Sequence, residues 1–306
     1  MSHMLVVGSV AFDTLHIGGK AHSKVLGGSA VYAALAASHF APVQLVGVVG
    51  RDFPDDAIGL LRSHKVDLAG LEVVDGETFH WEGRYADDLS SRETIRTDLN
   101  VFADFSPKIP AACRDARYVM LGNIDPVLQM QVLDQIERPA LVIADTMNLW
   151  IDIKRPELVA LLKRVDVLVV NDEEARQLSK VNNLVKAAGI MQEMGPRTVI
   201  IKKGEHGAML FDGEDLFCLP ALPLLDVVDP TGAGDTFAGA LLGYLAGKND
   251  HSALSLRKAV VCGSVVASFC VAGVGPSRLA AVSTHDVRQR FGQFHRLVNF
   301  HADALD

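Results

Sequence analysis

Six short runs of β-branched and aliphatic residues recur along the chain, each ending in glycine or a polar cluster: LVVGSVAF, VQLVGVVG, YVMLGNI, ALVIADT, VDVLVVND and TVIIKKG. Most are apolar throughout rather than alternating, which suits a strand only where both of its faces are covered. Between them lie stretches with helical spacing, SAVYAALAASHF, DAIGLLRSHK, PVLQMQVLDQIE, RPELVALLKRV and NNLVKAAGIMQEM. Strand and helix in alternation predict right-handed βαβ units, hence an α/β fold with a mostly parallel central sheet between helical layers. Functional groups in such a sheet collect at the carboxyl ends of the strands.

One region breaks the rhythm. Residues 76–104, GETFHWEGRYADDLSSRETIRTDLNVFAD, are polar and strand-like, with Phe79, Trp81, Gly83 and Tyr85 on alternate positions and no helical pattern. They read as a small antiparallel sheet projecting from the body, a lid over a substrate. A dimerisation sheet is the competing reading, and the two roles can coincide. A second hairpin, GAMLFDGEDLFCL, turns at DGED. With no repeat, low-complexity tract or linker, the expectation is a single domain over 1–306, with lid strands from about 12–24 and 76–104.

Composition removes several classes. Hydrophobic residues make up 49% of the chain, enough for a substantial core, and the net charge of −8 counts against a nucleic-acid footprint or an anionic membrane surface. The uncharged stretch 259–275, AVVCGSVVASFCVAGVG, is shorter than the roughly 20 residues a membrane span requires, so it reads as a buried core helix. The start, MSHMLVVGS, lacks a basic segment and a cleavage pattern, and its SHM resembles a cloning scar. Cys113, Cys218, Cys262 and Cys270 form no CxxC pair and have no histidine at ligand spacing, as expected of reduced core cysteines in a cytoplasmic protein.

The chemistry concentrates in residues 229–244, DPTGAGDTFAGALLGY. Pro230 ends an extended segment, and Gly232, Ala233 and Gly234 leave the backbone uncovered where a helix begins. Successive N–H groups converge there, and the helix dipole favours negative charge. A phosphate so held would lie within reach of Asp235, whose carboxylate can orient a hydroxyl nucleophile and take its proton. Taken by itself, Asp235 reads first as a helix N-cap and only second as a base. There is no GxxxxGK[ST] motif, which excludes a P-loop. Gly232-Ala233-Gly234 also fails as a dinucleotide fingerprint, because Phe237 fills the sixth position and Asp250 lies in KNDHS rather than at a strand end.

DPTGAGDTFAGALLGY resembles the C-terminal signature of the ribokinase/PfkB-type carbohydrate kinases, and LGGSAVYAALAASH, residues 26–39, resembles their N-terminal one. The ordered set of landmarks runs from about Leu5 to about Phe294. The resemblance implies a ribokinase-like three-layer sandwich with a small β-sheet lid, and transfer of phosphate from ATP, with Mg2+, to an alcohol. Under it, Asp235 matches the catalytic base and Gly232 through Asp235 an anion hole. Asn171 and Glu174, in VVNDEEARQL, match an NxxE element that positions magnesium and phosphate, with Glu174 reaching Mg2+ through its waters. Lys202, Gly204 and Gly207, in IKKGEHGA, match a wall of the ATP site. Asp229 and Thr231 match positions that bind a monovalent cation, K+, in some members. Asp13 matches the acid that bonds substrate hydroxyls, and Gly27-Gly28 the hinge between lid and core.

Departures from the family pattern leave the acceptor open. Ser29 follows the diglycine directly, Tyr32 stands where many sugar kinases carry Asn, and Asp55 stands where glycine is expected. Further candidates for the acceptor wall are Phe79, Trp81 and Tyr85 of the lid, Asn123 of YVMLGNI, and Asn148 and Trp150 of DTMNLW. An unphosphorylated sugar or polyol is favoured over a nucleoside, with a phosphosugar third, for which Lys24, Arg84, Arg92 and Arg96 offer charge. The expected partners are a small-molecule acceptor, ATP and a second copy of the chain through the lid. The competing classes are a non-catalytic ligand-binding relative and a nicotinamide-dependent oxidoreductase.

Overall fold

In the computed structural model, which describes residues 4–89 and 91–299, the first apolar run divides between two sheets. Strand β1 (Met4–Val7) lies in a large sheet, while β2 (Ala11–Ile17) leaves it to pair with β3 (Lys20–Gly27) in a small one. The crossing is pinned by Ser9 and Ser29, each donating its backbone N–H to the other's hydroxyl, at 3.1 and 3.0 Å. The chain continues through α1 (Ser29–Ala37), β4 (Val43–Gly50), α2 (Asp55–Ser63), β5 (Val66–Val74), β6 (Phe79–Tyr85) and β7 (Arg92–Asp98). Next come β8 (Tyr118–Leu121), α3 (Pro126–Leu133), β9 (Leu141–Asp145), α4 (Asn148–Ile153) and α5 (Arg155–Leu162). They are followed by β10 (Val167–Asn171), α6 (Asp172–Ser179), α7 (Leu184–Glu193) and β11 (Thr198–Lys202). A hairpin, β12 (Ala208–Asp212) and β13 (Asp215–Leu219), precedes α8 (Ala233–Lys248), α9 (Ala253–Cys270), α10 (Ser277–Ala281) and α11 (Thr284–Val298).

The nine strands of the large sheet run in the order β13-β12-β11-β10-β9-β8-β1-β4-β5, parallel except for the β11-β12-β13 meander. Alternate residues of β1 enter different cores. Met4 and Val6 join α1, α8 and α9 on one face, and Leu5 and Val7 join α3, α5, α6 and α7 on the other. That division makes the molecule a three-layer sandwich, and the unbroken apolar runs follow from it. Strand β5 escapes the sequence pattern because it is an edge strand, with exposed and buried positions intermixed. Helix α9 holds 259–270 of the apolar stretch read as a core helix, while 271–275 form a turn beyond its end; the helix is long and apolar enough to cross a membrane, but most of it is buried inside the fold.

The small sheet, in the order β3-β2-β6-β7, is mixed, not antiparallel as expected, because its central pair β2–β6 is parallel. The cause lies in the large sheet. Strands β1 and β5 both run parallel to β4 and hand the chain to β2 and β6 in the same sense. The segment read as strand alone also contains a 3-10 turn at Asn100–Asp104, whose Phe102 stacks on Phe79 and Phe105 at centroid distances of 5.4 and 5.5 Å. Phe79 therefore belongs to the base of the small sheet rather than to an acceptor wall. The cysteines are all free, but only Cys113, Cys262 and Cys270 are buried. Cys218 lies on β13, an edge strand with an open face, and is exposed, which corrects the expectation of four core cysteines. The SHM reading falls outside the described residues.

Candidate active site

Helices α1 and α8 start side by side at the carboxyl edge of the large sheet. Gly232 is the N-cap of α8, at φ 73°, so Asp235 is not the cap. It is the third helical residue, pointing from the first turn where backbone N–H groups lack helical acceptors. The reason lies in α1. A β-carbon on Gly232 would collide with the Tyr32 ring, so the turn needs a residue that is both bare and left-handed. Asp235 borders the cleft, partly open to solvent yet ringed by protein. Its carboxyl is pushed up to about 7, first by burial and then by the Asp145 charge, with Lys202 pulling the other way.

Three strand ends supply the charges around it. Lys202, the last residue of β11, places its ammonium 3.4 Å from the carboxylate of Asp145, the last residue of β9. The same ammonium lies above Gly234, where an added β-carbon would stand 2.8 Å from Nζ. Asn171 ends β10 and caps α6, accepting from the Glu174 N–H at 2.8 Å, while Glu174 Oε2 accepts from the Asn171 N–H at 2.7 Å. Glu174 is buried, and its carboxyl is raised to about 7 by that burial, against the pull of Lys202. Gly204 and Gly207 follow β11 at φ 52° and 87°, and a β-carbon on Gly207 would strike the Leu219 carbonyl. These residues form one wall of the cleft.

On the other side the small sheet brings Asp13 to Gly27, whose missing side chain makes room for the Asp13 carboxylate. Asp13 is buried and pushed up to about 7 by that burial and then by the charges of Asp229 and Asp235. Gly28, at φ 94°, is the N-cap of α1, where a β-carbon would collide with Ser9. Ser29 spends its hydroxyl on Ser9. Tyr32 is fully buried, and its hydroxyl has no partner among the described residues. The Trp81 ring lies over Gly83 and donates to Thr94 Oγ1 at 3.3 Å, with the Arg92 guanidinium 5.0 Å from its centroid. Asn123 Oδ1 accepts from Trp150 Nε1 at 3.0 Å. Asn148 is exposed and bonded to Gln177, apart from this group.

Asp229 is buried, and each carboxylate oxygen accepts a backbone N–H: Oδ1 from Thr231 at 2.9 Å, Oδ2 from Gly275 at 2.8 Å. The Thr231 hydroxyl meets Tyr85 Oη at 2.8 Å, the contact that joins the small sheet to the loop before α8. Among the described residues no group of three or more His, Cys, Asp or Glu is arranged to hold a metal ion. The carboxylates around Lys202, those of Asp145, Glu174 and Asp235, give oxygen donors of the kind magnesium takes, one or two at a time beside its waters.

Two features escaped the sequence reading. Asp145 ends a buried strand, and Gln129 donates to its carbonyl and to those of Leu121 and Gly122. The available signal was an acid at the carboxyl end of a buried run, ALVIADT. The Tyr85–Thr231 contact joins residues 146 apart and had no local signal.

Comparison with known proteins bears on the family and the fold. The model of the pfkB family of carbohydrate kinases matches residues 3–281. The chain is 31% identical over 254 residues to a cytidine kinase of Thermococcus kodakarensis, covering 81% of this chain and 90% of that protein. It is 27% identical over 307 residues to an inositol 3-kinase of Oryza sativa subsp. japonica, covering 91% and 72%. Among solved structures, one assigned to ribokinase II of Escherichia coli, in complex with ATP and Mg2+, superposes with a TM-score of 0.77 at 20% identity over 96% of this chain and 100% of that one.

Proposed function

The chain belongs to the pfkB family of carbohydrate kinases, and we propose that it transfers the γ-phosphoryl group of ATP to a hydroxyl of a small neutral sugar or polyol, with Asp235 as the base. The observation that carries this reading is the meeting at the start of α8 of three things: the uncovered turn 232–234, the Lys202 ammonium and a carboxyl raised to about 7. A base near neutrality takes a hydroxyl proton at working pH and releases it afterwards.

In this reading ATP lies along Asn171, Lys202, Gly204 and Gly207, with its terminal phosphate at Gly232, Ala233 and Gly234. The acceptor sits between Asp13 and Asp235, walled by Tyr32, Trp81 and Asn123, and Gly27-Gly28 let the small sheet close as a lid. Asp13 accepts from acceptor hydroxyls, which favours its carboxylate form. Lys202 faces the phosphate oxygens, and Asp235 aligns the attacking hydroxyl and takes its proton. Magnesium, when bound, supplies charge neutralisation on the phosphates. Glu174 would hold it through water, since one of its oxygens already caps α6. Asp229 and Thr231 would hold a potassium ion beside the 273–275 loop, with the Asp229 oxygens also taking backbone N–H groups. The enzyme would be cytoplasmic, with a second copy seated against the outer face of the small sheet.

A nucleoside acceptor is the second reading, favoured by the cytidine kinase that this chain resembles over most of its length. ATP consumption across a panel of sugars, polyols, phosphosugars and nucleosides separates the two. Asp235→Asn should still bind ATP and acceptor yet lose most turnover. Near-normal transfer by that variant removes the base assignment.

A further inference from the structure

Of the four cations that the sequence offers from the small sheet, three are accounted for by their surroundings. Arg84 lies 3.8 Å from Glu93, Arg96 lies 2.7 Å from Asp98, and Lys24 is an exposed residue of β3 at φ 53°, where the pairing with β2 shifts register. Arg92 differs. It opens β7 directly opposite Tyr85 in the β6–β7 register, and Tyr85 touches Thr231, three residues before Gly234. The strand pairing therefore delivers Arg92 to the mouth of the cleft. There its guanidinium rests against Trp81, whose ring is held down on the bare backbone of Gly83.

Among the described residues Arg92 is in no ion pair. Its charge nevertheless acts on Asp13, Glu174 and Asp235, lowering each of those raised carboxyls. They belong to the acceptor, metal and nucleophile sides of the cleft, so the charge of this one lid residue, exposed at the start of β7, reaches all three. A guanidinium offers a planar fork of donors that fits phosphate oxygens better than an ammonium does.

Resting on the kinase reading, we propose that Arg92 is a catalytic arginine carried by the lid. When the small sheet closes over the acceptor, its guanidinium leaves the Trp81 ring and donates to the equatorial oxygens of the phosphoryl group in transit. The bond from the γ-phosphorus to the ADP oxygen breaks and the bond to the acceptor oxygen forms. The hydroxyl proton passes to Asp235, and Arg92 keeps its protons throughout. Charge neutralisation is then complete only with the lid shut, so water bound alone in the acceptor site is a poor nucleophile.

The test compares wild type, Arg92→Met and Arg92→Lys on the acceptor that wild type turns over fastest. Arg92→Met should lower kcat by about 10²–10³-fold, with melting temperature and affinity for a non-hydrolysable ATP analogue close to wild type. Arg92→Lys should recover part of that loss. ADP with aluminium fluoride and acceptor, which mimics the phosphoryl group in flight, should bind wild type far more tightly than Arg92→Met. A kcat for Arg92→Met within about threefold of wild type, or a loss confined to acceptor KM, overturns the assignment while the kinase reading stands. Absence of turnover by wild type across the whole panel removes the kinase reading and this inference with it.

Discussion

A β-carbon on Gly239 would stand 2.5 Å from the Cα of Ala33, so α8 and α1 touch backbone to backbone. One turn on, a β-carbon on Gly243 would stand 2.7 Å from the Cα of Ala37. The spacing of four on both helices is one ridge meeting another. The two glycine-rich motifs, about 200 residues apart in the chain, are therefore one object in space. The close crossing sets Tyr32 beneath Gly232.

Gly239→Val should cost about 1–3 kcal/mol or more, because the helices cannot part without disturbing the core they share. Gly59, in the middle of α2, has nothing within 4 Å of an added β-carbon and an ordinary helical backbone. Gly59→Ala should accordingly stabilise by about 0.5–1 kcal/mol through helix propensity and lost chain entropy. Denaturant unfolding of the two variants checks both signs.

Asp13 keeps its proton in the fold up to about pH 7, whereas its ordinary value is 3.8. Between those values the folded state holds the extra proton, so this group's contribution to stability falls as pH rises and levels off above about 7. Glu174 and Asp235, also raised to about 7, act in the same direction, and His39, depressed by burial to about 4, opposes them below its ordinary 6.5. Asp13→Asn isolates one group. It should match wild type only at or below the ordinary value of 3.8 and exceed it increasingly toward about pH 7.5, by up to a few kcal/mol. Melting temperatures across that range, without ligands, measure the difference.

Among the described residues the Tyr32 hydroxyl is buried without a partner, and burial holds its proton in place. An unsatisfied buried hydroxyl is a cost, so Tyr32→Phe should raise stability by about 1 kcal/mol. Its kcat should stay at the wild-type value, since the ring that supports Gly232 remains. A fall in stability would mean that the hydroxyl has a partner in solution, such as ordered water.

The layer architecture was legible because β1, β4 and β8 through β11 are covered on both faces and so had to be apolar throughout. What failed to show was set by partners distant in sequence. Alternation in FHWEGRY marks a strand, but not the direction of the neighbour it pairs with, and that direction made the small sheet mixed. Edge position hid β5 in the same way. At the site, the glycines of DPTGAGD drew attention to Asp235, while its place in the helix depended on Tyr32, some 200 residues away. Asp145 was harder to see, because an acid closing an apolar run is also an ordinary strand terminator. Its meaning came only from Lys202, brought beside it by the sheet.

That pair makes the sharpest demand on the candidate site. Burial is the largest cause of the raised Asp235 carboxyl, but among the charges Asp145 raises it most and Lys202 lowers it most. Removing either should move the acid limb of kcat/KM, which reports the free enzyme's base, and in opposite directions. Asp145→Asn takes away the repulsion and should shift the limb to lower pH by about half a unit to one unit. Lys202→Met takes away the attraction for Asp235 and for Glu174 alike, so the limb should move up by a similar amount. Lys202→Met should also destabilise the ligand-free protein by about 3–5 kcal/mol, since it leaves buried carboxylates without their cation. The two pH profiles, taken at saturating ATP on one acceptor, decide whether Asp235 titrates as the base. Movement of both limbs in the same direction would assign the titration to a different group, because no single carboxyl beside this pair can respond alike to losing a negative and a positive neighbour.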